Sequence, residues 1–205
     1  MERTEIDTPR GVAWADIVEG GSPARWLLAI THGAGGGVEA VDIAAVSEAV
    51  VAAGGAVARI TQPYRVAGRT MPGSATAAQD EAWVAVVEHL CAQERFAAVP
   101  LVVGGRSNGA RVACRTAAQV GAVAVVALAF PLHPPRNPQR SRAHELRAAA
   151  VPTLVVNGDR DPFGIPAQAE VTRLIVRPGE RHDLSKDPHG VAAAVVEWLG
   201  AFGQS

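Results

Sequence analysis

Residues 104–109 have the sequence Gly-Gly-Arg-Ser-Asn-Gly, in which a serine is flanked by glycines. This segment directly follows the apolar run Leu101–Val103. The pattern G-x-S-x-G between a strand and a helix is typical of a sharp turn that exposes a serine hydroxyl at the edge of a sheet. Gly105 and Gly109 suit this turn because it leaves no room for side chains beside the serine. We therefore predict that Ser107 is a nucleophile.

A serine hydroxyl attacks well only when a base removes its proton, and the base is normally a histidine oriented by a carboxylate. The apolar run Thr153–Val156 leads into a loop that holds Asp159 and Asp161. The next run, Arg173–Val176, leads into a loop that holds His182. The order serine, acid, histidine along the chain is that of hydrolases built on a parallel sheet. The spacing therefore predicts His182 as the base.

Two aspartates compete for the role of the acid. Asp159 directly follows Gly158 and suits the closing of a turn. Asp161 lies farther along the loop, where its side chain could reach the histidine loop, and Pro162 stiffens the backbone after it. We favour Asp161 and keep Asp159 as the alternative.

The other histidines are weaker candidates for the base. His89 falls within a predicted helix, His144 opens another, and His189 precedes the last one. His133 follows a predicted strand within Pro131–Pro135 and could lie at the same sheet edge, although a histidine framed by prolines is more often a packing element.

A glycine-rich segment, Thr31-His-Gly-Ala-Gly-Gly-Gly37, follows the apolar run Trp26–Ile30 and precedes a helix. Backbone N–H groups in such a turn can converge on the oxyanion of a tetrahedral intermediate. We predict Ala34 as the first donor, Gly35 as the second choice, and the N–H of Asn108 as the partner donor. A phosphate-binding loop is the alternative, but no Lys-Ser/Thr pair follows the glycines.

Three residues are predicted to contact the substrate: Gly35, Arg65 and His133. Arg65 follows the predicted strand Ala56–Ile60, at the edge where the active site is expected, and could bind a substrate carboxylate. The alternative is that Arg65 anchors its own loop.

Short apolar runs alternate with longer helical patterns, which is typical of a mostly parallel α/β sheet with helices on both faces. The predicted strands are Val12–Val18, Trp26–Ile30, Ala56–Ile60, Leu101–Val103, Ala122–Leu128, Thr153–Val156 and Arg173–Val176. The predicted helices are Val38–Ala53, Ala75–Gln93, Asn108–Ala118, Ala143–Ala149, Ala167–Val171 and Gly190–Phe202. We expect one domain over residues 1–205, with little or no cap because only Pro131–Ala150 separates two strands.

The composition narrows the class of protein. The chain has 205 residues and a net charge of −1, so it lacks the basic surface that binds nucleic acid. It has neither an apolar run of membrane-spanning length nor an apolar stretch near the N-terminus, and Cys91 and Cys114 lack metal-ligand spacing. We expect a cytoplasmic protein without metal or cofactor, acting on a small acyl substrate; the oligomeric state is not predicted.

Together, His32-Gly33, Gly105-x-Ser107-x-Gly109, Gly158-x-x-Asp161 and His182 resemble the α/β-hydrolase superfamily over nearly the whole chain. Pro63-Tyr64, Gly68-Arg69, Gly104-Gly105-Arg106-Ser107, Pro131-Leu132-His133-Pro134-Pro135 and Asp161-Pro162-Phe163-Gly164 are similar to a branch related to dienelactone hydrolases. That branch includes the testis-expressed 30 and KANSL-type proteins.

The resemblance implies an α/β-hydrolase fold, with Ser107, Asp161 and His182 as nucleophile, acid and base. It also implies that Ala34 and Asn108 donate to the oxyanion. Dienelactone hydrolases use cysteine as nucleophile, so their substrate does not transfer to Ser107. The expected function is cleavage of carboxylic esters through an acyl-enzyme. The alternatives are a thioesterase, lactonase or amidase, or a hydrolase fold retained as a binding module.

Overall fold

The computed structural model describes residues 2–73 and 75–203, whose strands form a single sheet in the order β1-β2-β4-β3-β5-β6-β7-β8. The strands are β1 (Glu2–Thr8), β2 (Gly11–Glu19), β3 (Leu27–Thr31), β4 (Ala56–Thr61), β5 (Leu101–Arg106), β6 (Ala124–Leu128), β7 (Thr153–Gly158) and β8 (Arg173–Arg177). The strands β1 and β2 pair antiparallel with their neighbours, and the six strands β3 to β8 run parallel to one another.

Helices connect the parallel strands and cover the sheet. They are α1 (Val41–Ala52), α2 (Pro63–Val66), α3 (Thr76–Cys91), α4 (Asn108–Thr116), α5 (Ala143–Ala148) and α6 (Pro188–Leu199), with short 3₁₀ turns at Glu94–Phe96 and Gln168–Glu170. Within the described residues, no helix is long and apolar enough to cross a membrane.

The core lies in two layers, one on each face of the sheet. Alternate residues of a central strand enter different layers: Val103 packs with α3 and α4, and Val102 packs with α1 and α6. Because both faces are covered, the central strands β3, β5, β6 and β7 are almost wholly buried, which explains their nearly continuous apolar sequence.

The predicted fold class is confirmed, and the errors have physical causes. The strand β1 was missed because its sequence, ERTEIDT, is polar apart from Ile6, as suits an exposed edge strand. The predicted helix Ala167–Val171 is wrong, since only the 3₁₀ turn Gln168–Glu170 forms there. The four-residue helix α2 is too short to show a periodic pattern.

The topology brings the candidate residues to the carboxyl edge of the sheet. Thr31 pairs with Gly105, so the segments after β3 and β5 leave the sheet side by side. Gly158 pairs with Arg177, so the loops after β7 and β8 are also neighbours. Between β6 and β7 the chain forms only α5 and its loops, which leaves this edge without a cap domain.

Candidate active site

Ser107 lies at the turn between β5 and α4 with φ 54° and ψ −112°, a backbone conformation that L-residues rarely adopt. The neighbouring glycines are sterically required. A Cβ on Gly105 would lie 2.4 Å from the carbonyl carbon of Gly109, and one on Gly109 would lie 2.7 Å from the oxygen of Thr31. The turn therefore stores strain while it exposes the hydroxyl at the sheet edge.

A continuous chain of hydrogen bonds links Ser107, His182 and Asp161. The Nε2 atom of His182 lies 2.8 Å from Ser107 Oγ, and its Nδ1 atom lies 2.8 Å from Asp161 Oδ2. With the proton on Nδ1, the ring donates to the buried carboxylate and accepts the serine proton at Nε2. The hydroxyl, the imidazole ring and the carboxylate therefore lie in one hydrogen-bonded line, as the predicted roles of these three residues require.

The structure distinguishes the two candidate acids. Asp161 is buried, and its second carboxylate oxygen accepts the N–H of Phe163 at 2.8 Å. Asp159 is exposed, and its carboxylate accepts the N–H of Gly179 at 2.8 Å, across the turn that follows β8. Asp161 therefore contacts the histidine, whereas Asp159 fastens the turn before the histidine loop.

Two buried polar residues that sequence reasoning missed hold the acid and histidine loops. The amide of Asn157 bonds to both backbone groups of Phe130 and reaches the Gly164 carbonyl and Asp161. The carboxylate of Glu180 accepts the N–H of Asp187 at 2.6 Å. A polar residue at the end of an otherwise apolar strand, as Asn157 is in β7, was the available signal.

A third contact missed from the sequence restrains the imidazole ring directly. Phe163 packs on His182 with ring centroids 4.2 Å apart and planes inclined by 30°. The backbone N–H of Phe163 also donates to Asp161, so Phe163 contacts both the predicted acid, Asp161, and the predicted base, His182.

The glycine-rich segment after β3 approaches the serine, as its predicted role requires. A Cβ on Gly33 would lie 3.3 Å from Ser107 Cβ, and Ala34 lines the cavity in front of the hydroxyl. Asn108, the first residue of α4, lines the same cavity, and its side-chain amide donates to Gln79 at 2.6 Å. The two predicted oxyanion donors therefore line the same cavity as Ser107.

Buried His32 anchors this segment in its neutral form. Burial is the main cause that lowers its pKa. Its Nε2 accepts the N–H of Gln62 at 3.1 Å, so Nδ1 carries the proton and donates to the Gly33 carbonyl at 2.9 Å. A charged ring could not accept from Gln62.

The cavity in front of Ser107 has a volume of about 410 Å³. The described residues that line it are Ala34, Met71, Pro72, Gly73, Thr76, Gln79, Ser107, Asn108, Arg111, Pro131, Arg140, Arg142 and Phe163. It is open, as expected for a fold without a cap.

The three predicted substrate contacts are not among these lining residues. Arg65 donates to the carbonyl of Arg69, so it anchors its own loop. His133 packs against Gly164, where a Cβ would lie 2.4 Å from its Nε2, and thereby supports the acid loop. Gly35 is exposed, because the turn directs Ala34 rather than Gly35 toward the serine.

An ion pair between Asp42 and Arg106 contacts the loop that holds His182. Arg106 Nε is 3.2 Å from Asp42 Oδ2, and the Arg106 guanidinium donates to the His182 carbonyl at 3.2 Å. Burial raises the pKa of Asp42 to about 6, while Arg106 opposes that rise and Asp183 adds to it. Asp42 and Arg106 are therefore positioning residues for the histidine loop.

The raised pKa of Asp42 predicts a loss of stability as the pH rises. Between the unfolded pKa of 3.8 and the folded value of about 6, the folded state holds the proton more tightly, so raising the pH favours unfolding. The contribution from Asp42 should fall by about 2 kcal/mol between about pH 4.5 and about pH 7.5. Urea unfolding of wild type and Asp42→Asn at both pH values measures this difference. Equal pH dependence in the two proteins would contradict it.

The mostly parallel eight-stranded sheet covered by helices is the fold of the α/β hydrolases. The chain matches the model of the alpha/beta hydrolase domain family over residues 24–187, and it belongs to that family. A search of curated proteins finds no match.

Solved structures with the same fold are similar over almost their entire length. They include XC6422 from Xanthomonas campestris, described as a serine hydrolase without a lid (19% identity, TM-score 0.77, covering 100% of this chain and 95% of that one). Est1E from Butyrivibrio proteoclasticus has 19% identity and a TM-score of 0.77, with 98% of each chain covered. Dienelactone hydrolase from Anabaena variabilis has 19% identity and a TM-score of 0.79, and the match covers 99% of this chain and 98% of that one.

Proposed function

We propose that this protein is a serine hydrolase that cleaves carboxylic esters of small molecules through an acyl-enzyme. The observation that carries the proposal is the hydrogen-bonded chain from Ser107 through His182 to Asp161, on a strained turn that faces an open cavity. The serine hydrolase without a lid and the dienelactone hydrolase among the similar structures support the same reaction class.

In the proposed acylation step, Ser107 Oγ attacks the ester carbonyl carbon while His182 Nε2 takes the hydroxyl proton. The resulting imidazolium is stabilised by the buried carboxylate of Asp161. The carbonyl oxygen becomes an oxyanion that accepts from the N–H groups of Ala34 and Asn108. When the intermediate collapses, the C–O bond breaks and His182 gives its proton to the leaving alcohol.

Deacylation repeats these roles with water. His182 removes a proton from water as its oxygen attacks the acyl carbon, and the proton then returns to Ser107 Oγ as the serine leaves. The acid product departs and the free hydroxyl is restored. The proposed mechanism uses only this chain's own residues.

A fluorophosphonate probe tests the proposal directly, because it phosphonylates a serine only when the base and oxyanion donors activate it. We expect one label per chain at Ser107, found by mass spectrometry of the digested protein, and none in Ser107→Ala. Para-nitrophenyl acetate should be hydrolysed by the wild type alone. Absence of labelling in the folded wild type would overturn the proposal.

The proposal also specifies that the bond cleaved is a carboxylic ester rather than a thioester, lactone or amide. A matched panel of ester, thioester, lactone and amide substrates with the same acyl group compares these alternatives, and we expect the ester to have the highest kcat/KM. A role as a binding module is disfavoured because Ser107 Oγ lies within hydrogen-bond distance of His182. Membership of the branch with testis-expressed 30 and KANSL-type proteins, and a cytoplasmic location, remain predictions from the sequence.

A further inference from the structure

The cavity in front of Ser107 has a marked imbalance of charge. Three arginines, Arg111, Arg140 and Arg142, line it, and no aspartate or glutamate does so among the residues that the structure describes. The net charge of the cavity therefore depends on whether carboxylates outside its lining neutralise these three guanidinium groups.

Only Arg111 is neutralised. Its guanidinium makes two hydrogen bonds of 2.7 Å to the buried carboxylate of Glu145. Glu145 also lies 3.3 Å from Arg115, but Arg115 has its own bidentate partner, Asp80. The two arginines and two carboxylates balance one another in charge, and among the described residues neither Arg140 nor Arg142 forms an ion pair with them.

Arg142 is half-buried and, among the described residues, is held in place by carbonyl oxygens rather than by an ion pair. Its Nη1 donates to the carbonyl of Pro131 at 3.0 Å, and its backbone N–H donates to the carbonyl of Leu132 at 2.7 Å. Burial and the charges of Arg111 and Arg140 lower its pKa, although Glu145 partly compensates. A guanidinium in a partly desolvated site favours an anion beside it.

Arg140 completes the pair from an exposed position. Within the described chain, its side chain makes no ion pair with a carboxylate, and only its backbone N–H is engaged, with the carbonyl of Asn137. Arg140 and Arg142 therefore present two positive charges, neither of them in an ion pair with a described carboxylate, in the same cavity as the serine hydroxyl.

We propose that the ester cleaved at Ser107 carries a second, anionic group, a carboxylate or a phosphate, that binds to Arg140 and Arg142. This inference rests on the proposed hydrolase function and adds the class of substrate. The anionic group is not transformed: water adds across the ester bond to give an acid and an alcohol, while the anion fixes the ester in front of Ser107. The sequence predicted that Arg65 could bind a substrate carboxylate, and the proposal assigns this role to Arg140 and Arg142 instead.

A kinetic comparison of two esters tests the inference. The para-nitrophenyl monoester of glutaric acid has a free carboxylate, whereas the para-nitrophenyl ester of glutaric acid monoamide has the same length and no charge. We expect kcat/KM to be about tenfold higher for the anionic ester at low ionic strength, with the preference reduced by salt. Equal kcat/KM values for the two esters would overturn the inference while leaving the hydrolase function intact.

Variants of individual arginines test which residues cause the preference for the anionic ester. Arg140→Gln and Arg142→Gln should each reduce the ratio of the two kcat/KM values severalfold, whereas Arg136→Gln, an exposed arginine of the same segment that does not line the cavity, should leave the ratio unchanged. Arg140→Gln removes no hydrogen bond of the side chain, so it serves as the variant least able to disturb folding. An unchanged ratio in both lining variants would contradict the assignment.

A binding measurement gives a readout that does not depend on turnover. Glutarate, inorganic phosphate and neutral glutaramide are titrated into Ser107→Ala by calorimetry. Binding of glutarate alone assigns the site to carboxylates, and binding of phosphate alone assigns it to phosphates. Either binding should weaken about tenfold in the double variant Ser107→Ala/Arg140→Gln. Failure of both anions to bind would overturn the inference, whereas binding without ester hydrolysis by the wild type would overturn the hydrolase function and leave only the anion site formed by Arg140 and Arg142.

Discussion

Replacing Ser107 with alanine or glycine is expected to lower kcat for ester hydrolysis by about 10⁴-fold or more, because both variants lack the hydroxyl that is hydrogen-bonded to His182. The two variants should differ in stability. Ser107 has φ 54°, so alanine retains the backbone strain, whereas glycine adopts this conformation freely. We expect the free energy of unfolding of Ser107→Gly to exceed that of Ser107→Ala by about 1 kcal/mol.

Para-nitrophenyl ester hydrolysis and urea unfolding measure the two effects on the same preparations. A control at a nearby exposed serine, Ser185→Ala, should leave kcat within about twofold of the wild type. Residual activity of Ser107→Ala near the wild-type value would show that the nucleophile lies elsewhere. Equal stability of the alanine and glycine variants would show that the turn is not strained at this residue.

Asp161→Asn is expected to lower kcat by about 10⁴-fold while the protein stays folded. The carboxylate accepts from Nδ1 of His182 and so holds the proton away from Nε2. An amide of the same shape can present its NH₂ group there, which favours the tautomer that cannot accept the proton of Ser107. The backbone contact with Phe163 survives, because the amide oxygen can still accept.

The matched control is Asp159→Asn, two residues away in the same loop. Its carboxylate accepts only the N–H of Gly179, a bond that an amide oxygen can replace. We expect kcat within about twofold of the wild type. Steady-state kinetics with one ester compares both variants, and circular dichroism checks their folding. An Asp159→Asn variant as impaired as Asp161→Asn would contradict the assignment of the acid.

The candidate residues that the structure brings together could be predicted because their signals are local. A nucleophile on a sharp turn needs glycines at fixed offsets, so Gly105 and Gly109 identify Ser107 within five residues. The order of strand ends then predicts His182, since parallel strands deliver their loops to one edge. The fold class follows from the same alternation of apolar runs and helices. These features depend on sterics and periodicity, which a sequence records directly.

Long-range contacts among polar side chains could not be predicted in this way. The pairing of Asp42 with Arg106 joins residues from two different layers of the fold, and the pair reaches the His182 loop. Likewise, the choice between Asp159 and Asp161 depends on how the loop after β7 curves toward β8. No periodicity encodes such contacts, because each is set by where loops far apart in the chain meet.

The sequence by itself determined the sheet and predicted the attacking atom and its base, since those depend on local backbone geometry and on the chain order of the strands. Only the tertiary structure decided which arginines meet the cavity. Arg65 follows a strand at the right edge but turns back to its own loop, whereas Arg142 comes from a segment without regular structure. The direction of a long charged side chain is fixed by its packing partners, and those become neighbours only when the chain has folded.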